Sequence, residues 1–79
     1  MGKRKTRQDI RDRFGFVVQT RRQDIGLTQE DLAEKAHIHR TYLSDIERGS
    51  RNVSLINIER LAAGLEISLS ELFQRVERS

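Results

Sequence analysis

Seventy-nine residues, with no cysteine, no proline and a formal charge of +3, describe one small domain with one core, too short for a second catalytic domain or a large buried pocket. Without cysteine, neither a disulfide framework nor a thiolate metal site reinforces so small a core, so a homodimer is the expected source of extra stability. No apolar run is long enough to span a bilayer, and the basic N-terminus lacks the apolar stretch of a secretory signal, so the expectation is a soluble cytoplasmic protein with no membrane partner.

The charge is unevenly spread. Met1 to Arg13 carries six bases against two acids, a balance of +4, while the remainder carries nine bases against ten acids, a balance of −1. Residues 1–8 therefore read as a basic, flexible arm ahead of a domain spanning residues 9–79. An arm of this composition follows phosphates or enters a minor groove, and it is equally the composition of a solvated tail.

The first helix is expected from about Asp9 to Ile25, since Ile10, Phe14, Val17, Val18 and Ile25 recur at roughly helical spacing and Gly26 supplies a C-terminal cap. Gly15 inside that stretch lowers helix propensity by about 1 kcal/mol relative to alanine, which suggests close approach of another helix. Thr28 with Asp31 resembles a capping box that starts the second helix at Gln29, and Leu32, Ala33 and Ala36 give it an apolar face. His37 and Ile38 turn the chain. Arg40 to Glu47 forms a third, short helix with Leu43 and Ile46 directed inward. Ser54 caps a fourth helix whose stripe is Leu55, Ile58, Leu61, Ala62 and Leu65, with an ending at Gly64. Ser68 with Glu71 forms a second capping box before a fifth helix marked by Leu69, Leu72, Phe73 and Val76. Those four residues exceed what one small core needs and are the expected dimer interface.

Two short helices joined by a tight turn, the second with a polar outer face, have the size of a unit that enters a DNA groove. The N-terminal amides of the second helix and Gln29 are placed to meet a phosphate, where the positive end of the helix dipole assists. From the start of the third helix, Arg40, Thr41 and Ser44 share an outward face away from Leu43 and Ile46, and are the candidate base readers. Arginine donates two bonds to guanine O6 and N7, while threonine and serine hydrogen-bond either base type and threonine offers a methyl contact to thymine. The Tyr42 hydroxyl either meets a phosphate or packs half-buried against a neighbouring helix.

Thr28-Gln-Glu-Asp-Leu-Ala33, Tyr42-Leu-Ser-Asp-Ile-Glu-Arg-Gly49, Asn52-Val-Ser-Leu55, Arg60-Leu-Ala-Ala-Gly-Leu65 and Ser68-Leu-Ser-Glu-Leu-Phe73 together resemble the Cro/C1-type, or XRE-like, helix-turn-helix regulators. The resemblance covers about Phe14 to Phe73. Within that family, Arg40-Thr-Tyr-Leu-Ser44 and Glu47-Arg-Gly-Ser-Arg-Asn-Val53 look like the controller proteins of restriction-modification systems. The resemblance implies an all-α, five-helix, lambda-repressor-like domain with the helix-turn-helix formed by helices 2 and 3. It further implies a homodimer on a palindromic operator in double-stranded DNA, regulation of transcription, and RNA polymerase as a further partner. By the same analogy Arg48, Arg51 and Asn52 contact the DNA backbone, and Arg22 with Glu47 forms an ion pair that orients the reading helix.

Two positions depart from the family pattern: His37 stands where glycine is common in the turn, and His39 stands where Ser or Thr usually caps the third helix. Two histidines without cysteine or a carboxylate constellation do not make a metal site, and no cofactor is called for. His37, His39, Ser44, Asp45 and Glu47 supply reactive residue types but no phosphate loop, nucleophile elbow or general-base arrangement, so no enzyme is expected. The alternative to an operator-binding controller is a phage-type repressor, or an antitoxin-like DNA-binding protein whose main partner is another protein.

Overall fold

Every helix start in the computed structural model, which describes residues 9–79, is set by a residue in extended conformation. The expected arm over residues 1–8 lies outside the described residues. The helices are α1 (Ile10–Asp24), α2 (Gln29–Ala36), α3 (Arg40–Glu47), α4 (Leu55–Gly64) and α5 (Leu69–Arg78), with no strand among the described residues. Asp9, Thr28, Ser54 and Ser68 each accept a backbone N–H of the following turn, satisfying donors that the helix itself leaves open. Thr28 and Asp31 complete a reciprocal box at 3.0 Å in both directions. The box expected at Ser68 and Glu71 is only half formed: Ser68 Oγ accepts from the Glu71 amide, but the Glu71 carboxylate pairs with Arg75 one turn on.

α1 packs on α3 and α5, α2 packs on α3 and α4, and α4 meets α5. Between them Val18, Leu32, Leu43, Ile46, Leu61, Leu65, Leu72 and Val76 are fully buried. Each such leucine contributes about 1.5–3 kcal/mol relative to leaving it exposed, and these residues set the angle between the helices.

Gly15 faces α3, and a Cβ there would lie 2.2 Å from the Ile46 carbonyl oxygen, so α1 and α3 touch through backbone. Gly64, the last residue of α4 as expected from sequence, has a related packing role as well. It remains helical, a Cβ on it would stand 2.9 Å from Leu32 Cδ1, and the left-handed residue after α4 is Glu66 at φ 62°. The Leu65, Glu66 and Ile67 amides close the end of α4 by donating to the Leu61, Ala63 and Ala62 carbonyls at 2.8, 3.1 and 3.1 Å, while Lys35 Nζ holds the Glu66 carboxylate at 2.8 Å and Arg21 Nε donates to the Leu65 carbonyl at 3.0 Å.

Two apolar expectations are corrected. Leu55, placed in the core stripe of the fourth helix, is 76% exposed, and the adjacent Ile56 is 62% exposed. Conversely, Leu72 and Val76, expected at a dimer interface, lie in the chain's own core, because α5 closes over α1 and α4. Of the expected interface residues, Leu69 at 37% exposure and the half-buried Phe73 remain available to a second molecule.

Candidate nucleic-acid interface

α2 and α3 are joined by a turn in which His37 adopts the left-handed conformation, φ 59° and ψ 45°. The Ile38 amide donates to the Ala33 carbonyl at 3.0 Å and the His37 amide to the Glu34 carbonyl at 3.2 Å, a pairing that closes the last turn of α2. Histidine tolerates this conformation less readily than glycine, so the departure seen in sequence keeps the turn geometry at some backbone cost. His39 stands at the N-cap of α3 without donating or accepting a side-chain capping bond, which leaves the first amides of that helix uncapped by a side chain.

The angle of α3 is fixed from below by a buried cluster. Arg22 Nε and Nη2 donate to the two oxygens of Glu47 at 2.8 and 3.1 Å, and Arg22 Nη1 donates to the Leu27 carbonyl at 2.8 Å. Gln29 Nε2 donates to Glu47 Oε1 at 2.9 Å. α1, the loop before α2, α2 itself and α3 are thus tied at one carboxylate. Gln29, expected at a phosphate beside the N-terminal amides of α2, has one Nε2 hydrogen engaged by Glu47 beneath α3.

On the opposite side of α3, Arg40 and Thr41 are exposed and Ser44 is half-buried, with Leu43 and Ile46 locked inward. One helical face therefore carries the three candidate base readers. Ser44 is not an isolated hydroxyl, because Arg48 Nη1 donates to its Oγ at 2.8 Å. Tyr42 is half-buried; its hydroxyl accepts from Asn57 Nδ2 at 3.2 Å, and the Arg51 guanidinium lies 5.2 Å from its ring centroid. Packing and a hydrogen-bonded hydroxyl thus coexist in Tyr42, and the stacked ring restrains Arg51. Asn52 is exposed beside Arg51.

Arg48 and Arg51 share a carboxylate. Arg48 Nη2 donates to Asp45 Oδ1, and Arg51 Nε and Nη2 both donate to Asp45 Oδ2 at 3.2 Å. Sequence reasoning missed Asp45, although its spacing of three residues from Arg48 is that of a helical ion pair. It also missed Asn57, whose link to Tyr42 spans fifteen residues and leaves no local signal. Among the described residues no group of three or more His, Cys, Asp or Glu is arranged to hold a metal ion, and no helix is long and apolar enough to cross a membrane.

The chain matches the helix-turn-helix family profile over residues 18–72. It is 48% identical over 71 residues to the control protein C.MunI of Mycoplasma sp, covering 89% of this chain and 96% of that protein. It is likewise 48% identical over 65 residues to the control protein C.BamHI of Bacillus amyloliquefaciens, covering 81% and 80%. Among solved structures, the restriction-modification controller protein C.AhdI from Aeromonas hydrophila superposes with a TM-score of 0.77 at 44% identity, over 80% of this chain and 96% of that one. The C.Esp1396I controller, solved as a tetramer in complex with its natural 35 base-pair operator, superposes with a TM-score of 0.82 at 39% identity, over 87% and 91%.

Proposed function

The chain belongs to the Cro/C1-type helix-turn-helix family of DNA-binding transcription regulators, among the restriction-modification control proteins, and from that premise we propose that it binds a palindromic operator as a homodimer. The observation that carries this reading is the division of α3: Leu43 and Ile46 anchor it in the core, while Arg40, Thr41 and Ser44 face outward together. Arg40 and Thr41 then read base edges in the major groove, with Ser44 alongside, and a bidentate arginine contact discriminates by about 1–3 kcal/mol. Arg48, Arg51, Asn52, the Tyr42 hydroxyl and the α2 amides hold the phosphate backbone and so set register.

Leu55 and Ile56 on α4 and Leu69 on α5 supply exposed apolar surface for a second copy, with Phe73 half-buried beside them in sequence order on α5. A two-fold pair of α3 helices spaced by about 34–36 Å fits two half-sites one DNA turn apart. Regulation follows from where the operator lies: occupancy at one position excludes RNA polymerase, and at another position recruits it. A cytoplasmic site of action accords with that role.

Selection of bound sequences from a random duplex pool tests the reading. An inverted repeat with a centre-to-centre spacing of one turn supports it. No enriched sequence, or equal affinity for unrelated duplexes, overturns it.

A further inference from the structure

Asp45 lies in the last turn of α3, where the helix dipole disfavours a carboxylate and its i,i+3 pairing with Arg48 works against that penalty. Its side chain is only 17% exposed, and it is covered by two arginines that are themselves largely open to solvent, Arg48 at 63% and Arg51 at 50%. Arg51 commits Nε and Nη2 to Asp45 and leaves Nη1, while Arg48 commits Nη2 to Asp45 and Nη1 to Ser44 and leaves Nε. Asp45 thus takes the Nε–Nη2 edge of Arg51 and, together with the Ser44 hydroxyl, the Nη1–Nη2 edge of Arg48, and restrains the direction of both guanidiniums.

We propose that Asp45 is a specificity-determining positioning residue that competes with DNA phosphates for Arg48 and Arg51 and so suppresses binding to unrelated duplexes. The inference rests on the DNA-binding reading above. Binding without sequence preference draws on counterion release at the phosphates a protein neutralises. A carboxylate already paired with two of the interface arginines subtracts from that term on every sequence. On the operator, where α3 is seated in the groove, the phosphates meet the edges that Asp45 leaves free, and the held orientation offsets the competition. Asp45 therefore widens the gap between operator and generic DNA without touching a base.

The test titrates the full chain and its Asp45→Asn variant onto the selected operator and onto an unrelated duplex, between about 50 and 200 mM salt. Asp45→Asn is expected to bind the unrelated duplex about 5- to 10-fold more tightly, with a salt slope steeper by about one to two, while operator affinity changes by less than about twofold. In addition, Arg48→Gln is expected to weaken binding to the unrelated duplex more in the Asp45→Asn background than in wild type, which is the signature of coupling between the two side chains. Asp45→Ser repeats the measurement should the asparagine variant not retain its fold. A purely structural Asp45 would move both duplexes by the same factor and leave the salt slope unchanged, and that result overturns the proposal. Wild-type protein showing no preference among duplexes would overturn the DNA-binding reading itself, a failure distinguishable from operator preference that survives intact in Asp45→Asn.

Discussion

Glu47 and Asp45 stand two residues apart on α3, and each holds arginine, yet they do opposite things. Glu47 and Arg22 are 3% and 10% exposed, and Gln29 and the Leu27 carbonyl complete the cluster. The Asp45 cluster has the same chemistry on an open face. Burial decides the difference: with water excluded, nothing competes with the partners that Glu47 and Arg22 already have, whereas solvent and an approaching phosphate both compete for the arginines at Asp45. The inner cluster holds the reading helix at its angle, and the outer one is exchangeable at the surface it presents.

The comparison is broken most severely by Glu47→Ala. Arg22 is then left buried and unpaired, for an expected loss of about 3–5 kcal/mol and a melting temperature lower by well over about 10 °C. Thermal denaturation reads this directly, and a loss under about 1 kcal/mol would mean the buried pair is not structural. Gly15→Ala attacks the same inner region through the backbone. The added methyl group forces α3 away from α1 at the Ile46 carbonyl, with an expected cost of about 1–3 kcal/mol, and operator affinity falls with it because Glu47 moves too.

Arg51→Ala works on the outer region alone. Stability should change by less than about 0.5 kcal/mol, whereas binding to all duplexes weakens and the salt slope falls by about 1. Calorimetry beside a salt titration separates the two; a slope that does not change removes Arg51 from the phosphate contacts.

The smallest effect is that of pH on the surface carboxylates. The Thr28 amide and hydroxyl hold Asp31 below its ordinary value, Lys35 does the same for Glu66, and Arg11 brings Asp9 down to about 2. A depressed folded-state value contributes stability that is present above the unfolded values, 3.8 for Asp and 4.5 for Glu, and is lost as pH falls through the lower folded ones. Asp31→Asn should therefore flatten the decline of melting temperature below about pH 4, by about 2 °C. An acid limb identical to wild type would remove Asp31 from that dependence.

The helices were legible because their signals are local: Asp9, Thr28, Ser54 and Ser68 announce four of the five starts, and apolar spacing carries the rest. The outward face of α3 followed from the same periodicity, and Gly15 announced a close contact whose partner, the Ile46 carbonyl, only the fold supplies. What periodicity does not contain is whose core an apolar stripe enters. Leu72 and Val76 have the spacing of an interface and fill the chain's own interior, while Leu55 has the spacing of a core residue and faces solvent. Polar partners distant in sequence were equally hidden. Gln29 reads as a phosphate ligand, and nothing local shows that Glu47, eighteen residues on, also accepts one of its amide hydrogens. Asp45 reads only as one of several reactive residue types, and its pairing with Arg51, which the loop brings back to meet it, has no local signal.

The most direct measurement is the affinity of wild type and Arg40→Ala for the operator and for each single-base variant of its half-site, with melting temperatures measured alongside. Outward placement of Arg40 predicts that Arg40→Ala loses about 1–3 kcal/mol of discrimination at one position in each half-site, retains it elsewhere, and melts as wild type does. Equal weakening across all the variants, or lost discrimination accompanied by a lost fold, would contradict a reading face on α3 distinct from the buried cluster that holds it.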